Sequence, residues 1–213
     1  MVPWFYYVSR VVIRILLLLL TRCQVKGREN IPRQGPLLVV ANHLSLVDPP
    51  LLGASLNRKA IFMAKKDLFH SKIIGYFLCG VGAFPVHRGQ MDRQGIRQAY
   101  QVLNNGLALV MFPEGMRSRS GQLRPAFSGA ARIASRASVP VLPVAISGTE
   151  KFERLSCLVR RPRITVSFGQ PFYLPSPQSK PTKQELAELT DTIMQRIAEL
   201  LPQEYRGEYD NEN

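Results

Sequence analysis

Residues 37–50 read Leu37-Leu38-Val39-Val40-Ala41-Asn42-His43-Leu44-Ser45-Leu46-Val47-Asp48-Pro49-Pro50. The apolar, β-branched run 37–40 has the length of a buried strand. Asp48 followed by two prolines reads as an N-cap and a proline-led first helical turn. The chain therefore leaves a strand, turns and enters a helix, with His43 at one edge of the turn and Asp48 at the other. On a regular helix, residues five apart point about 140° away from each other, at ~3.6 residues per turn. A turn can fold the carboxylate back onto the imidazole. A carboxylate on one ring nitrogen fixes the tautomer and leaves the other nitrogen to take a proton. On these residues alone the alternative stands: Asp48 only caps its helix, and His43 is a surface loop residue.

Outward from this stretch the pattern alternates strand and helix. Strands are expected near 37–41, 60–64, 83–86, 107–112, 141–146 and 163–168. Helices are expected near 49–56, 68–79, 93–104, 129–136 and 183–200. The last begins in a Thr182/Glu185 capping box and is stopped by Pro202. Its apolar stripe of Leu186, Leu189, Ile193, Ile197 and Leu200 belongs to a core. Pro140 and Pro143 bracket the fifth strand and favour an edge or bulged position for it. The order predicts an α/β fold, a central, largely parallel or mixed sheet flanked by helices.

At 213 residues the chain fits one such domain, expected over 27–213. Residues 1–26 form an apolar and basic N-terminal segment. Ser9, Arg10 and Arg14 interrupt it, and the unbroken run 15–20 falls far short of the ~20 residues that span a bilayer. A helix lying at a membrane interface fits better: Trp4, Phe5, Tyr6 and Tyr7 for the headgroup region, with Arg10, Arg14, Arg22, Lys26 and Arg28 to meet lipid phosphates. A core helix packed on the domain is the competing reading. The 28 Lys and Arg against 15 Asp and Glu give a formal charge of +13, which asks for an anionic partner. Nucleic acid is one such partner, but no helix-turn-helix, ribonucleoprotein or zinc-finger pattern is present. Three scattered cysteines and three histidines without ligand spacing predict neither a disulfide framework nor a metal site.

Four stretches in order carry a more specific signal. They are Asn42-His43-x-Ser45-x-x-Asp48-Pro49, Gly82-Ala83-Phe84-Pro85-Val86-His87-Arg88-Gly89, Phe112-Pro113-Glu114-Gly115-Met116-Arg117-Ser118 and Val139-Pro140-Val141-Leu142-Pro143-Val144. Together they resemble the motifs of the glycerolipid acyltransferases, the family that includes bacterial lysophosphatidic acid acyltransferases. The departure is Met116, where the family usually carries Thr.

The resemblance implies acyl transfer from a thioester of coenzyme A or acyl carrier protein, with no cofactor beyond that co-substrate. The implied acceptor is the sn-2 hydroxyl of 1-acyl-glycerol-3-phosphate (lysophosphatidic acid), giving phosphatidic acid. Another lysophospholipid or glycerol 3-phosphate are the alternatives. The implied catalytic pair is His43, as general base, and Asp48. Arg88 and Arg117 are expected on the acceptor phosphate, and Lys65 beside them with Lys66 as its rival. Glu114 is expected to bond a glycerol hydroxyl or to pin Arg117. Phe84, Gly115 and Ser118 complete the substrate-binding set, Phe84 as an apolar wall and Gly115 by allowing close backbone approach. A nucleophilic Ser45 or Ser118 is the hydrolase alternative, but neither sits in a G-x-S-x-G elbow. The expected location is the cytoplasmic face of the cell membrane, on an anionic lipid surface, with no nucleic acid partner.

Overall fold

The computed structural model describes residues 3–87, 92–153, 161–175 and 181–210. Strand β2 (Leu37–Ala41) is buried along its whole length because both of its faces are covered. Leu38 and Val40 pack toward α4 (Arg93–Asn104), α5 (Gly129–Ala137) and α6 (Lys183–Ala198). Leu37, Val39 and Ala41 pack toward α2 (Asp48–Ser55), whose Leu51 and Leu52 meet them. A strand sandwiched in this way needs no polar alternation, which is why it reads as a continuous apolar run. Each fully buried Leu or Val contributes about 1.5–3 kcal/mol of burial.

The remaining strands are β1 (Arg22–Lys26), β3 (Ala60–Lys65), β4 (Ala83–Val86), β5 (Ala108–Met111), β6 (Val141–Ser147) and β7 (Arg163–Phe168). Among the described residues they form one sheet in the order β1-β7-β6-β2-β5-β3-β4. Only β6 and β7 pair antiparallel; β1 to β7 and all the other neighbours pair parallel. The six strands expected from sequence are present. Strand β1 was not anticipated: residues 22–26, assigned by sequence to the N-terminal segment, pair with β7 as an edge of the sheet.

Strand β6 corrects a second expectation. Despite Pro140 and Pro143 it lies inside the sheet, between β2 and β7. Val141 bonds Phe172 through both its N–H and its C=O, and the Pro143 carbonyl accepts from Gly169 N–H at 2.9 Å. The odd-numbered residues thus turn their main chain away from β2. The missing N–H of Pro143 costs no ladder bond there, since pairing with β7 starts at Val144.

Helix α1 (Pro3–Leu20) is pinned to the domain by one face. Tyr6 is buried and its hydroxyl accepts from the Ala60 N–H at 3.1 Å. Arg14 Nε donates to Ala54 O at 2.8 Å, and the Arg10 guanidinium donates to Leu56 O. These carbonyls end α2, where acceptors lack intrahelical partners and the helix dipole is negative. Arg10 and Arg14 therefore do not occupy the lipid-facing positions expected for them. The opposite face of α1 exposes Trp4, Tyr7, Val11, Leu18 and Leu19. Helix α3 (Lys72–Gly80) adds Ile73 and Tyr76, 84% and 72% exposed, and joins α1 through an edge-on Phe5–Phe77 contact. No helix among the described residues is long and apolar enough to cross a membrane.

One side chain fastens the end of β2. Asn42 is buried, donating from Nδ2 to Ile146 O at 2.8 Å and accepting at Oδ1 from Ile146 N at 2.7 Å. Its amide closes the last rung between β2 and β6. Asn42→Ala leaves both Ile146 groups unpaired in the interior. It is expected to cost on the order of 3 kcal/mol in denaturant unfolding. Thr182→Ala, at the exposed cap of α6, is expected to cost about 1 kcal/mol.

Candidate active site

β2, β3, β4, β5 and β6 run in one direction, and the residues at their carboxyl ends meet at one edge. This carboxyl edge is where open α/β sheets hold ligands. His43 comes after β2, Lys65 ends β3, His87 comes after β4, Phe112 to Ser118 after β5, and Thr149 after β6.

Asp48 lies back over the turn, and its carboxylate is wholly buried. Oδ2 lies 2.9 Å from His43 Nδ1 and accepts from Leu44 N at 2.6 Å and Ser45 N at 2.7 Å. Oδ1 accepts from Thr149 Oγ1 at 2.6 Å. The carboxylate does not cap its own helix: the N-cap of α2 is Val47, with no side-chain cap bond. The N-cap expectation fails because these donors on the turn and on Thr149 engage both oxygens. Nor is His43 a surface residue, since it is 5% exposed. With Nδ1 held by Asp48, Nε2 is the ring nitrogen that can exchange a proton with a ligand.

The segment after β5 grips His43 from the other side. The ring stacks on Phe112, with centroids 4.3 Å apart and 27° between planes. Glu114 Oε1 accepts from His43 N at 2.9 Å, and Ser118 N donates to His43 O at 2.7 Å. The other oxygen of Glu114 accepts from Arg124 N at 3.2 Å. Glu114 thus spends both oxygens on backbone donors, one of them that of His43. Burial pushes its carboxyl up to about 7, and the two backbone donors and the Arg124 charge pull against that rise. Gly115 adopts φ +70°, and a Cβ there would stand 2.7 Å from the Phe127 ring, so this sharp turn admits no side chain. The Ser118 hydroxyl is buried and pairs with Ser120 Oγ at 3.2 Å.

His43 and Phe112 form part of the wall of a cavity of ≈ 790 Å³. Ile13, Phe62, Leu68, Phe77, Leu78 and Val81 make much of its surface apolar. Lys65, Arg117, Arg119 and Arg124 also line it. Lys65 is paired with Asp67 on the exposed side. Met116 lies in the same wall. Phe84 packs against the core cluster beneath α4 and α5 instead of lining this cavity. Arg88 lies outside the described residues.

A second H-x-x-x-x-D spacing, His87 to Asp92, also forms a pair, with Nδ1 3.2 Å from Oδ2. Asp92 caps α4 as well, accepting from Gly95 N at 2.9 Å, and the His87 side chain is 43% exposed, so this pair lacks the burial of His43 and Asp48. These two residues line a smaller cavity of ≈ 320 Å³ with Arg132, to which Phe112 and Met63 also contribute. Among the described residues no group of three or more His, Cys, Asp or Glu could hold a metal. Sequence reasoning missed Thr149, Phe112, Arg119 and Arg124 as site residues. For Thr149 the signal was a glycine and a hydroxyl residue just past β6, which gains meaning only once β6 is known to neighbour β2.

The family model described as Acyltransferase matches residues 22–147. The chain is 30% identical over 189 residues to the 1-acyl-sn-glycerol-3-phosphate acyltransferase of Bacillus subtilis (strain 168), covering 88% of this chain and 92% of that one. It is 32% identical over 171 residues to the protein of the same name from Streptococcus pneumoniae, covering 79% of this chain and 62% of the relative. Among solved structures it superposes on the 1-acyl-sn-glycerophosphate (LPA) acyltransferase PlsC of Thermotoga maritima with a TM-score of 0.69 and 26% identity. That match covers 92% of this chain and 79% of the other. The first relative aligns along nearly its whole length, the family model takes in β1 to β6 with the His43 turn among them, and the chain belongs to the acyltransferase family.

Proposed function

We propose that the chain moves an acyl group from a thioester, of coenzyme A or acyl carrier protein, to the sn-2 hydroxyl of 1-acyl-glycerol-3-phosphate. The products are phosphatidic acid and the free thiol. One observation carries the reading: the Asp48-held imidazole of His43 faces a cavity whose lining is apolar over much of its area and cationic elsewhere. Such a lining suits a molecule with an alkyl chain and a phosphate, and ≈ 790 Å³ lies within the ~300–1,000 Å³ of small-molecule sites. The names of the relatives in Bacillus subtilis and Streptococcus pneumoniae point to the same acceptor.

In this reading Nε2 of His43 takes the hydroxyl proton as the oxygen attacks the thioester carbonyl. The carbon–sulfur bond then breaks, and the imidazolium returns the proton to the departing thiolate. Asp48 holds the ring in the productive tautomer and stabilises its charged form. Lys65, Arg117, Arg119 and, from the sequence, Arg88 supply positive charge for the acceptor phosphate. No enzyme nucleophile is needed. Both Ser45 and Ser118 are buried, and Ser118 Oγ is turned to Ser120.

The acceptor and product are lipids, and the apolar face shared by α1 and α3 fits a bilayer surface. Ile73 and Tyr76 stand out from the domain and make little contact with its interior. Replacing both by Ser is expected to lower sedimentation with anionic vesicles at least about threefold at high salt, where apolar contacts persist and charge is screened. Turnover of a short-chain, water-dispersed acceptor should not change. Equal sedimentation of the double variant and the parent protein would refute the docking face.

His43→Ala is expected to reduce acyl transfer by about 10³-fold, at the scale of a lost general base. The variant should keep the native circular dichroism spectrum, because the ring borders a cavity and Asp48 keeps three other donors. A folded variant with near-parental turnover would defeat the mechanism.

Glu114 gives the fold a pH dependence whose sign is set by its raised pKa. Between its ordinary value of 4.5 and about 7, the folded protein holds a proton that the unfolded chain has lost. Stability therefore falls as pH rises through that window, by about 3 kcal/mol, and levels off above it. Glu114→Gln should abolish this slope whatever it does to absolute stability. Parallel unfolding curves of the two proteins from pH 5 to 8 would contradict the assignment.

A further inference from the structure

The two oxygens of Asp48 are unequally supported. Oδ2 has three partners within its own turn, whereas Oδ1 has the single donor Thr149 Oγ1, from beyond the neighbouring strand β6. Both side chains are fully buried, at 0% exposure. Thr149 does not reach Asp48 by accident of a floppy loop. Strand β6 is locked at Ile146 to Asn42, the residue beside His43. Gly148 then turns at φ +86°, with the position of an added Cβ 2.1 Å from Arg163 O, so the bend tolerates only glycine. Thr149 opens the short 3-10 helix Thr149–Glu153, its hydroxyl on the carboxylate at 2.6 Å.

We propose that Thr149 is a positioning residue for acyl transfer, acting through Asp48 on the His43 imidazole. The inference rests on the reading of His43 as general base. A hydroxyl has one proton to donate, and here it goes to an anion excluded from water, where such a bond is strongest. It holds the carboxylate plane so that Oδ2 stays in line with Nδ1. Without that donor the carboxylate can turn about its own bond, and the imidazole loses the alignment that aims Nε2 at the hydroxyl.

The test compares Thr149→Val, which keeps the shape and loses the hydroxyl, Thr149→Ser, which keeps the hydroxyl, and Thr149→Ala, which adds no bulk. His43→Ala serves as the reference, with 1-acyl-glycerol-3-phosphate and acyl-CoA as substrates. Val and Ala are expected to lower kcat roughly tenfold, with both KM values within about twofold of the parent. Ser should restore kcat. Val and Ala variants with parental kcat, beside an inactive His43→Ala, would overturn the role of Thr149 and leave the base intact. An active His43→Ala would instead remove the reading on which it rests. Val and Ala chains that both fail to fold, while Ser folds with full activity, would assign Thr149 to stability alone and overturn the proposal.

Discussion

The structure around the site depends on one buried carboxylate. Asp48 carries a charge into a wholly water-free position, which is tolerable only when its lone pairs are occupied. Two backbone N–H groups of its own turn, the His43 ring and the Thr149 hydroxyl occupy them. The bonds that make burial of the charge possible also shape the turn between β2 and α2. The imidazole is thereby oriented by the same interaction that folds the chain locally.

The order of strands explains why His43 is held from both sides. Strands β5 and β6 flank β2. The segment leaving β5 supplies Phe112 under the ring, with Glu114 and Ser118 N–H on the main chain. The turn leaving β6 supplies Thr149, while Ile146 within that strand holds Asn42. Each neighbour thus braces one side of a loop that would otherwise be free to move at a sheet edge. The +13 charge gains a place in this frame, since several of its cations line the cavity that His43 faces.

Much of this was legible in the chain. Period and punctuation located β2; the turn allowed the pairing of His43 with Asp48, and the resemblance of the four motifs favoured it over a helix cap and a surface histidine. The capping box at Thr182 reads directly from local sequence because both partners lie within one helical turn. What stayed hidden depends on strand order. Residues 22–26 look like a continuation of a basic N-terminal segment until β7 is placed beside them. Pro143 argued for an edge strand, because nothing local reveals which way its nitrogen faces. Arg10 and Arg14 looked like lipid contacts until the end of α2 came to lie beneath them. Glu114 was expected to bond a ligand or Arg117; that its oxygens meet the His43 and Arg124 main chain is a long-range fact.

The central claim is that this site passes an acyl group from a thioester to a phosphate-bearing lysolipid, with no acyl-enzyme between. Thiol release by the purified chain, monitored with acyl-CoA and acyl carrier protein thioesters, tests it most directly. The acceptors would be 1-acyl-glycerol-3-phosphate, glycerol 3-phosphate, monoacylglycerol or none. Direct transfer predicts release that requires an acceptor, is fastest with 1-acyl-glycerol-3-phosphate, and matches phosphatidic acid formed mole for mole. Equal release without any acceptor, or equal use of monoacylglycerol, would contradict it.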